Sequence, residues 1–270
     1  MSVDRRSPGE LADPERFVFL HGFTQTHHHW HDAADRLVNT VDPGAVRVFV
    51  DLPGHGLSGT THIDHDDIDH IGERLVALAG PGTYVGYSMG GRCALVAAVT
   101  GDPRIRRLVL IGATPGIEDP VERAKRCRLD DERAEHLERI GIDRFLDEWL
   151  ALPMFAGLPT DSNALEQRRR NTVDGLAHSL RRHGTGVQTP IWDRLDTIRV
   201  PTLVLAGELD TKFVAIGERM AARIPGATFR TISDAGHAAH LERPDATVRA
   251  ITDWLEPLTR GRDRRRGEGR

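Results

Sequence analysis

Cysteine is scarce in this chain, with two, Cys93 and Cys127, among 270 residues. Two thiols make no disulfide framework, which excludes the small stapled secreted folds and points to a reducing cytoplasm. Long apolar runs are missing as well. None approaches the roughly 20 residues that cross a bilayer, so no membrane span is expected. The opening segment MSVDRRSPGELADPER has no apolar stretch of the kind a secretory signal carries, and no leader is expected. Nor is there an excess of one charge. The 36 basic and 40 acidic residues leave −4, too balanced to suggest a nucleic-acid partner. No internal repeat is visible. What remains is 39% hydrophobic and 28% charged, the make-up of a folded globular protein long enough for one large domain.

Short apolar runs recur along the chain. Arg16 to Leu20, Arg47 to Val50, Thr83 to Val85, Arg107 to Ile111 and Pro201 to Ala206 read as buried strands. Thr228 to Ile232 is more polar and is expected near a sheet edge. Helical patterns, such as Gly91 to Thr100 and Phe213 to Ile224, lie between several of them. Strands alternating with helices imply βαβ units, hence an α/β fold with a mainly parallel sheet and helices on both faces. From Thr114 to Thr197 the rhythm breaks into charged helical sequence. A structureless loop of that length is improbable in a compact domain, so a helical insertion is expected over one end of the sheet. The expected organisation is a core of residues 1–113 and 198–259, a helical lid of 114–197, and a disordered basic tail of 260–270. Residues 1–15 read as a polar lead-in.

Gly86-Tyr87-Ser88-Met89-Gly90 fits G-x-S-x-G, with the run TYV before it and GGRCALVAAV after it. A strand, a tight turn and a helix in that order are what a nucleophile elbow requires. An ordinary helix N-cap serine is the plainer reading of the motif alone. A nucleophilic serine needs a base, and the base an orienting acid. Asp210 in GELDTKF and His237 in DAGHAAHLERP follow in the order such sites use, each just past a strand. Glu208 is a rival acid and His240 a rival base. His21-Gly22-Phe23 follows the first strand, so the Phe23 N–H can pair with that of Met89 as an oxyanion hole. Asp51 to Gly56 (DLPGHG) reads as a structural turn beside the elbow. Arg92 comes one helical turn after Ser88. Its planar fork suits a carboxylate at the site, where an esterase would want an uncharged pocket.

HGFTQ, DLPGHGLS, GYSMGGR, GELDTKF and AGHAAHLERP together resemble the α/β-hydrolase superfamily over nearly the whole chain. GYSMGGR and GELDTKF, with TPGIEDPVERAKR, WLALPMF and RRRNTVDGLAHSL, are similar to the 2-succinyl-6-hydroxy-2,4-cyclohexadiene-1-carboxylate synthases of menaquinone biosynthesis. The resemblance implies an α/β-hydrolase fold and a cofactor-independent lyase with a small, carboxylate-bearing substrate. It implies proton abstraction followed by loss of pyruvate, with no acyl-enzyme. It also implies that Arg126 and Arg168 bind substrate carboxylates, with Arg169 and Arg170 as alternatives in register to Arg168. Tyr87, Trp149 and Phe155 would form pocket walls, and Lys212 would stand near the triad acid. A serine hydrolase acting on esters or on C–C bonds of vinylogous diketones shares the whole triad and is the rival reading. A non-enzymatic receptor on the same fold is the second. Oligomeric state carries no expectation.

Histidines cluster twice. His27, His28, His29 and His31 surround Trp30, and His62, His65 and His70 interleave with Asp64, Asp66, Asp67 and Asp69. Both could take up zinc or nickel adventitiously. Neither has a closed zinc spacing, and no functional metal is expected. Gly80 to Gly86 (GPGTYVG) precedes a strand instead of joining strand to helix, so it is no phosphate cradle.

Overall fold

A computed structural model describes residues 1–6, 14–59, 67–160 and 162–267. Seven strands form one sheet. They are β1 (Ser2–Arg6), β2 (Arg16–Leu20), β3 (Val46–Asp51), β4 (Gly82–Tyr87), β5 (Ile105–Ile111), β6 (Thr202–Gly207) and β7 (Thr228–Ile232). Their spatial order is β1-β3-β2-β4-β5-β6-β7. From β3 across to β7 every pairing is parallel, and β1 runs antiparallel to β3. The polar strand β7 sits at the edge, as its composition predicts.

Among the described residues the helices are α1 (His31–Val41), α2 (Ile68–Ala79), α3 (Met89–Val99), α4 (Pro120–Ile140), α5 (Ile142–Leu150), α6 (Ser162–Arg169), α7 (Val173–His183), α8 (Thr211–Ala221), α9 (Ala239–Glu242) and α10 (Pro244–Gly267). The strands are apolar on both faces because helices cover both. On one face Val18, Val48, Tyr84 and Leu110 pack under α2 and α3. On the other, Phe17, Phe19, Phe49 and Val109 meet α1 and the first turns of α10. Helix α3 is buried all round, and its run of Gly and Ala lets it lie close to the sheet.

The structure adds detail to three of these readings. The polar lead-in carries a strand that its composition does not announce. Ser2–Arg6 is an edge strand whose register runs from Ser2 opposite Asp51 to Arg6 opposite Arg47. Edge pairing uses backbone groups, so the segment needs little apolar sequence, although Val3 still packs on the core. Residues 7–13 lie outside the described residues. The basic tail continues the helical backbone of α10 as far as Gly267, consistent with the good helix propensity of arginine; residues 268–270 are outside the description. The region 114–197 carries α4 to α7 and no strand among its described residues. Its end, however, belongs with the core: Ile191, Trp192 and Leu195 pack with the α3 face of the sheet. Helices α4, α5 and α7 keep a small core of their own, built on Ala134, Leu137, Phe145, Leu176 and Leu180.

Candidate active site

Parallel strands end together, so the loops after β2, β3, β4, β6 and β7 converge at one edge of the sheet. After β4 the chain turns sharply into α3, and Ser88 at the corner has φ 49° and ψ −107°. Such a backbone is strained for any residue with a Cβ. The neighbours explain why it persists. Ser88 N donates to Ile111 O at 2.8 Å. A Cβ on Gly90 would meet Leu20 O at 2.4 Å, and one on Gly86 would meet Gly90 O at 2.6 Å. Only glycine fits on either side.

His237 Nε2 lies 3.2 Å from Ser88 Oγ, and His237 Nδ1 lies 2.7 Å from Asp210 Oδ2. The carboxylate accepts, so Nδ1 carries the hydrogen and Nε2 is left to receive the serine proton. His237 is buried between the rings of Tyr87, Phe155 and Phe213. Asp210 is fixed from its other oxygen by Phe213 N at the start of α8. The rivals point elsewhere. Glu208 accepts from Asp234 N at 3.2 Å. His240 stacks on Trp30 and lies tilted against Tyr87 with neither ring nitrogen hydrogen-bonded to a described residue, and burial pushes its pKa down to about 3.

The Phe23 loop is tied down at each step. Gly22 N donates to Gln25 Oε1, Thr24 N to His55 Nε2, and Gly90 N on α3 to His21 O. Leu52 N donates to His21 Nε2. Burial holds His21 and His55 below the usual histidine range, so both are neutral and can accept these bonds. The Phe23 and Met89 N–H groups have no protein acceptor among the described residues. Asp51 sits beneath this loop. It accepts from His27 N and Nδ1 and from Leu57 N, so DLPGHG is the buttress of the loop. The motif alone did not reveal that network, because its partners come from a different segment.

A cavity of about 640 Å³ opens above Ser88. Phe23, Tyr87, Met89, Arg92, Arg126, Trp149, Phe155 and Lys212 all line it with the three triad candidates. Five of its lining residues are Lys or Arg (Arg92, Lys125, Arg126, Arg133, Lys212), against two carboxylates, Glu122 and Asp210. Lys125 and Arg133 were not singled out in the sequence; their places on α4, flanking Arg126, are the signal that could have found them.

Arg92 is 6% exposed and has no carboxylate partner among the described residues. Its guanidinium donates to Gln188 Oε1 at 2.8 Å and to His183 O at 2.6 Å. Burial lowers its pKa to about 10, which leaves it charged at neutral pH. Arg126, by contrast, is already paired with Asp130 at 2.8 Å. Arg168 does not line the Ser88 cavity. It is buried beside a neighbouring cavity of about 610 Å³, donates to Thr24 Oγ1, and shares only Phe155 with the first. Arg169 is exposed and pairs with Asp143 and Glu166, and exposed Arg170 reaches His28, so Arg168 is the inward member of the three. Of the second histidine cluster, His62 and His65 lie outside the described residues, and His70 is an exposed partner of Asp67.

The model of the alpha/beta hydrolase family matches residues 17–250. A 2-succinyl-6-hydroxy-2,4-cyclohexadiene-1-carboxylate synthase of Salmonella typhimurium is 33% identical over 253 residues, covering 92% of this chain and 96% of that protein. Among solved structures, MenH from S. aureus superposes with a TM-score of 0.86 at 33% identity, covering 94% of this chain and 98% of that one. A thermophilic esterase from Thermogutta terrifontis, 24% identical with a TM-score of 0.72 over 95% of this chain and 93% of its own, shares the fold. The chain therefore belongs to the alpha/beta hydrolase family, and within it to the family of the 2-succinyl-6-hydroxy-2,4-cyclohexadiene-1-carboxylate synthases.

Proposed function

We propose that this protein is a cytoplasmic lyase of menaquinone biosynthesis. It removes a proton from 2-succinyl-5-enolpyruvyl-6-hydroxy-3-cyclohexene-1-carboxylate and eliminates pyruvate. The observation that carries the reading is Arg92, a buried guanidinium with no carboxylate partner among the described residues, one helical turn from Ser88 in a cavity with a cationic lining. The substrate has three carboxylates, and a desolvated guanidinium fork is the side chain that best matches one. Arg168, buried next door, is placed to meet a carboxylate reaching past Phe155. The segment α4 to α7 acts as the lid over both. No helix among the described residues is long and apolar enough to cross a membrane.

In this mechanism Asp210 holds His237 with Nε2 facing the serine. Ser88 Oγ takes the proton from the substrate ring carbon as its own hydroxyl proton passes to Nε2. The C–H electron pair becomes a ring double bond and the C–O bond to the enolpyruvyl group breaks. Pyruvate leaves as its enolate and takes its proton back from the His237 imidazolium. The Phe23 and Met89 N–H groups stabilise the negative charge as it develops. Tyr87, Trp149 and Phe155 wall the ring, and Lys212 and Arg126 hold carboxylates at the rim.

The decisive assay is pyruvate release from the purified enolpyruvyl substrate; no release overturns the reading. EDTA should leave that rate unchanged, because no step uses an ion. A rate lost in EDTA and restored by one particular metal would require another mechanism. The triad geometry equally suits a serine hydrolase, and the two part on one species. An acyl transfer leaves the acyl group on Ser88, whereas elimination leaves the serine free. Intact-protein mass spectrometry after rapid quench should show unmodified protein throughout turnover. An added acyl mass on Ser88 would favour the hydrolase.

A further inference from the structure

Three histidines crowd the 3₁₀ turn that follows the Phe23 loop and the start of α1. One ring nitrogen from each of His27, His28 and His31 lies within 4.8 Å of the other two. Their ring centroids are 4.0 Å apart for His27 and His28, 4.8 Å for His28 and His31, and 5.4 Å for His27 and His31. His31 lies four residues beyond His27 and three beyond His28, which brings its ring to theirs across the turn.

His27 is the anchor. It is 7% exposed, and its Nδ1 donates to Asp51 Oδ2 at 2.8 Å, which leaves Nε2 as the atom it can offer. Asp51 is itself fixed by the N–H groups of His27 and Leu57. A carboxylate behind a ligating imidazole sets its tautomer and raises its basicity, and metal-binding histidines almost always have such a partner. The sequence spacing could not show this, because Asp51 arrives from another strand. His28 and His31 are half-buried and line the 610 Å³ cavity, so an ion there can be reached and can keep a water as a further ligand.

We propose that His27, His28 and His31, backed by Asp51, form a binding site for one divalent transition ion of the zinc, nickel, copper or cobalt class. Three imidazoles select that class over magnesium and calcium, which prefer oxygen ligands. Bonds of about 2.0–2.1 Å in a tetrahedral site put ligand nitrogens about 3.3 Å apart. The rings must therefore draw in by at most about 1.5 Å, a side-chain rotation open to the half-buried His28 and His31. Arg170 Nη1, 3.5 Å from a His28 ring nitrogen, is the cation that opposes binding, and it is exposed and able to turn away. None of the three histidines lines the Ser88 cavity, although His28 and His31 share the neighbouring cavity with Arg168.

The test reads binding alone, independent of the proposed reaction. Untagged protein, stripped with EDTA, is titrated with Co²⁺. One Co²⁺ per chain is expected, with visible ligand-field bands that Zn²⁺ abolishes by displacement. His28→Gln and His31→Gln should each weaken binding at least tenfold. Arg170→Ala should strengthen it, and His70→Gln should leave it unchanged. Absence of stoichiometric Co²⁺ uptake overturns the proposal, as does uptake that survives both His28→Gln and His31→Gln unaltered.

Discussion

Ser88→Ala lowers pyruvate release by roughly 10²–10⁴-fold, the range that a positioned proton-transfer group contributes. His237→Ala does the same. Both proteins stay folded, because neither side chain is a large part of the core, and circular dichroism should match the parent. The informative variant is the double one. In the proposed mechanism Ser88 and His237, 3.2 Å apart, act as one unit, so combining the changes is expected to cost little beyond either alone. Additive losses would mean that the serine and the histidine serve separate steps. Turnover like the parent's in Ser88→Ala would remove the serine from the mechanism altogether.

Arg92→Ala is expected to lower kcat/KM for the tricarboxylate by about 10²-fold or more. A charge-assisted hydrogen bond contributes about 1.5–3 kcal/mol, and a buried carboxylate left without its partner costs about 2–5 kcal/mol. At about 1.4 kcal/mol per decade of rate these figures bracket a hundredfold loss. Arg92→Lys should recover only part, since a point charge cannot bind a carboxylate in the bidentate manner of the fork and also keep both existing bonds to Gln188 and His183. A neutral aryl ester is the control. It offers Arg92 no carboxylate, so slow hydrolysis by the same serine should change little. Equal losses on both substrates would make Arg92 a support for His183 and Gln188. No loss on either would take the side chain out of the reaction.

Five strands were legible because a strand covered by helices on both faces is a short apolar run, and the more polar β7 was legible as a short run between turn residues at the sheet edge. Strand β1 was not legible: SVDRR has the composition of a loop, and its strand character comes from pairing with β3. The triad candidates could be found from order and placement, since the fold allots each to a particular strand end. The arginines divided along the same line. Arg92 sits a fixed turn from Ser88 on a helix whose start is known, so its position followed from counting. Arg168, Arg169 and Arg170 differ only in helical phase, and the choice among them rests on the tertiary packing of α6 against Thr24. The coupling of Asp51 to His21 and His27 joins side chains from separate strand ends, and nothing local in the sequence signals it.

The corner at Ser88 bears on how this protein tolerates change. A left-handed backbone on a residue with a Cβ costs of the order of 1–3 kcal/mol. That is a sizeable share of the 5–15 kcal/mol by which folded domains are usually stable. Glycine would adopt the same angles with little penalty, so the substitution that most relaxes this turn is also one that removes the hydroxyl on which the proposed mechanism depends. A variant library selected only for heat resistance would thus drift toward glycine here and lose the chemistry unnoticed. Any stabilised descendant should be screened for turnover at every round, with position 88 held fixed and the gains sought in the helices remote from this corner.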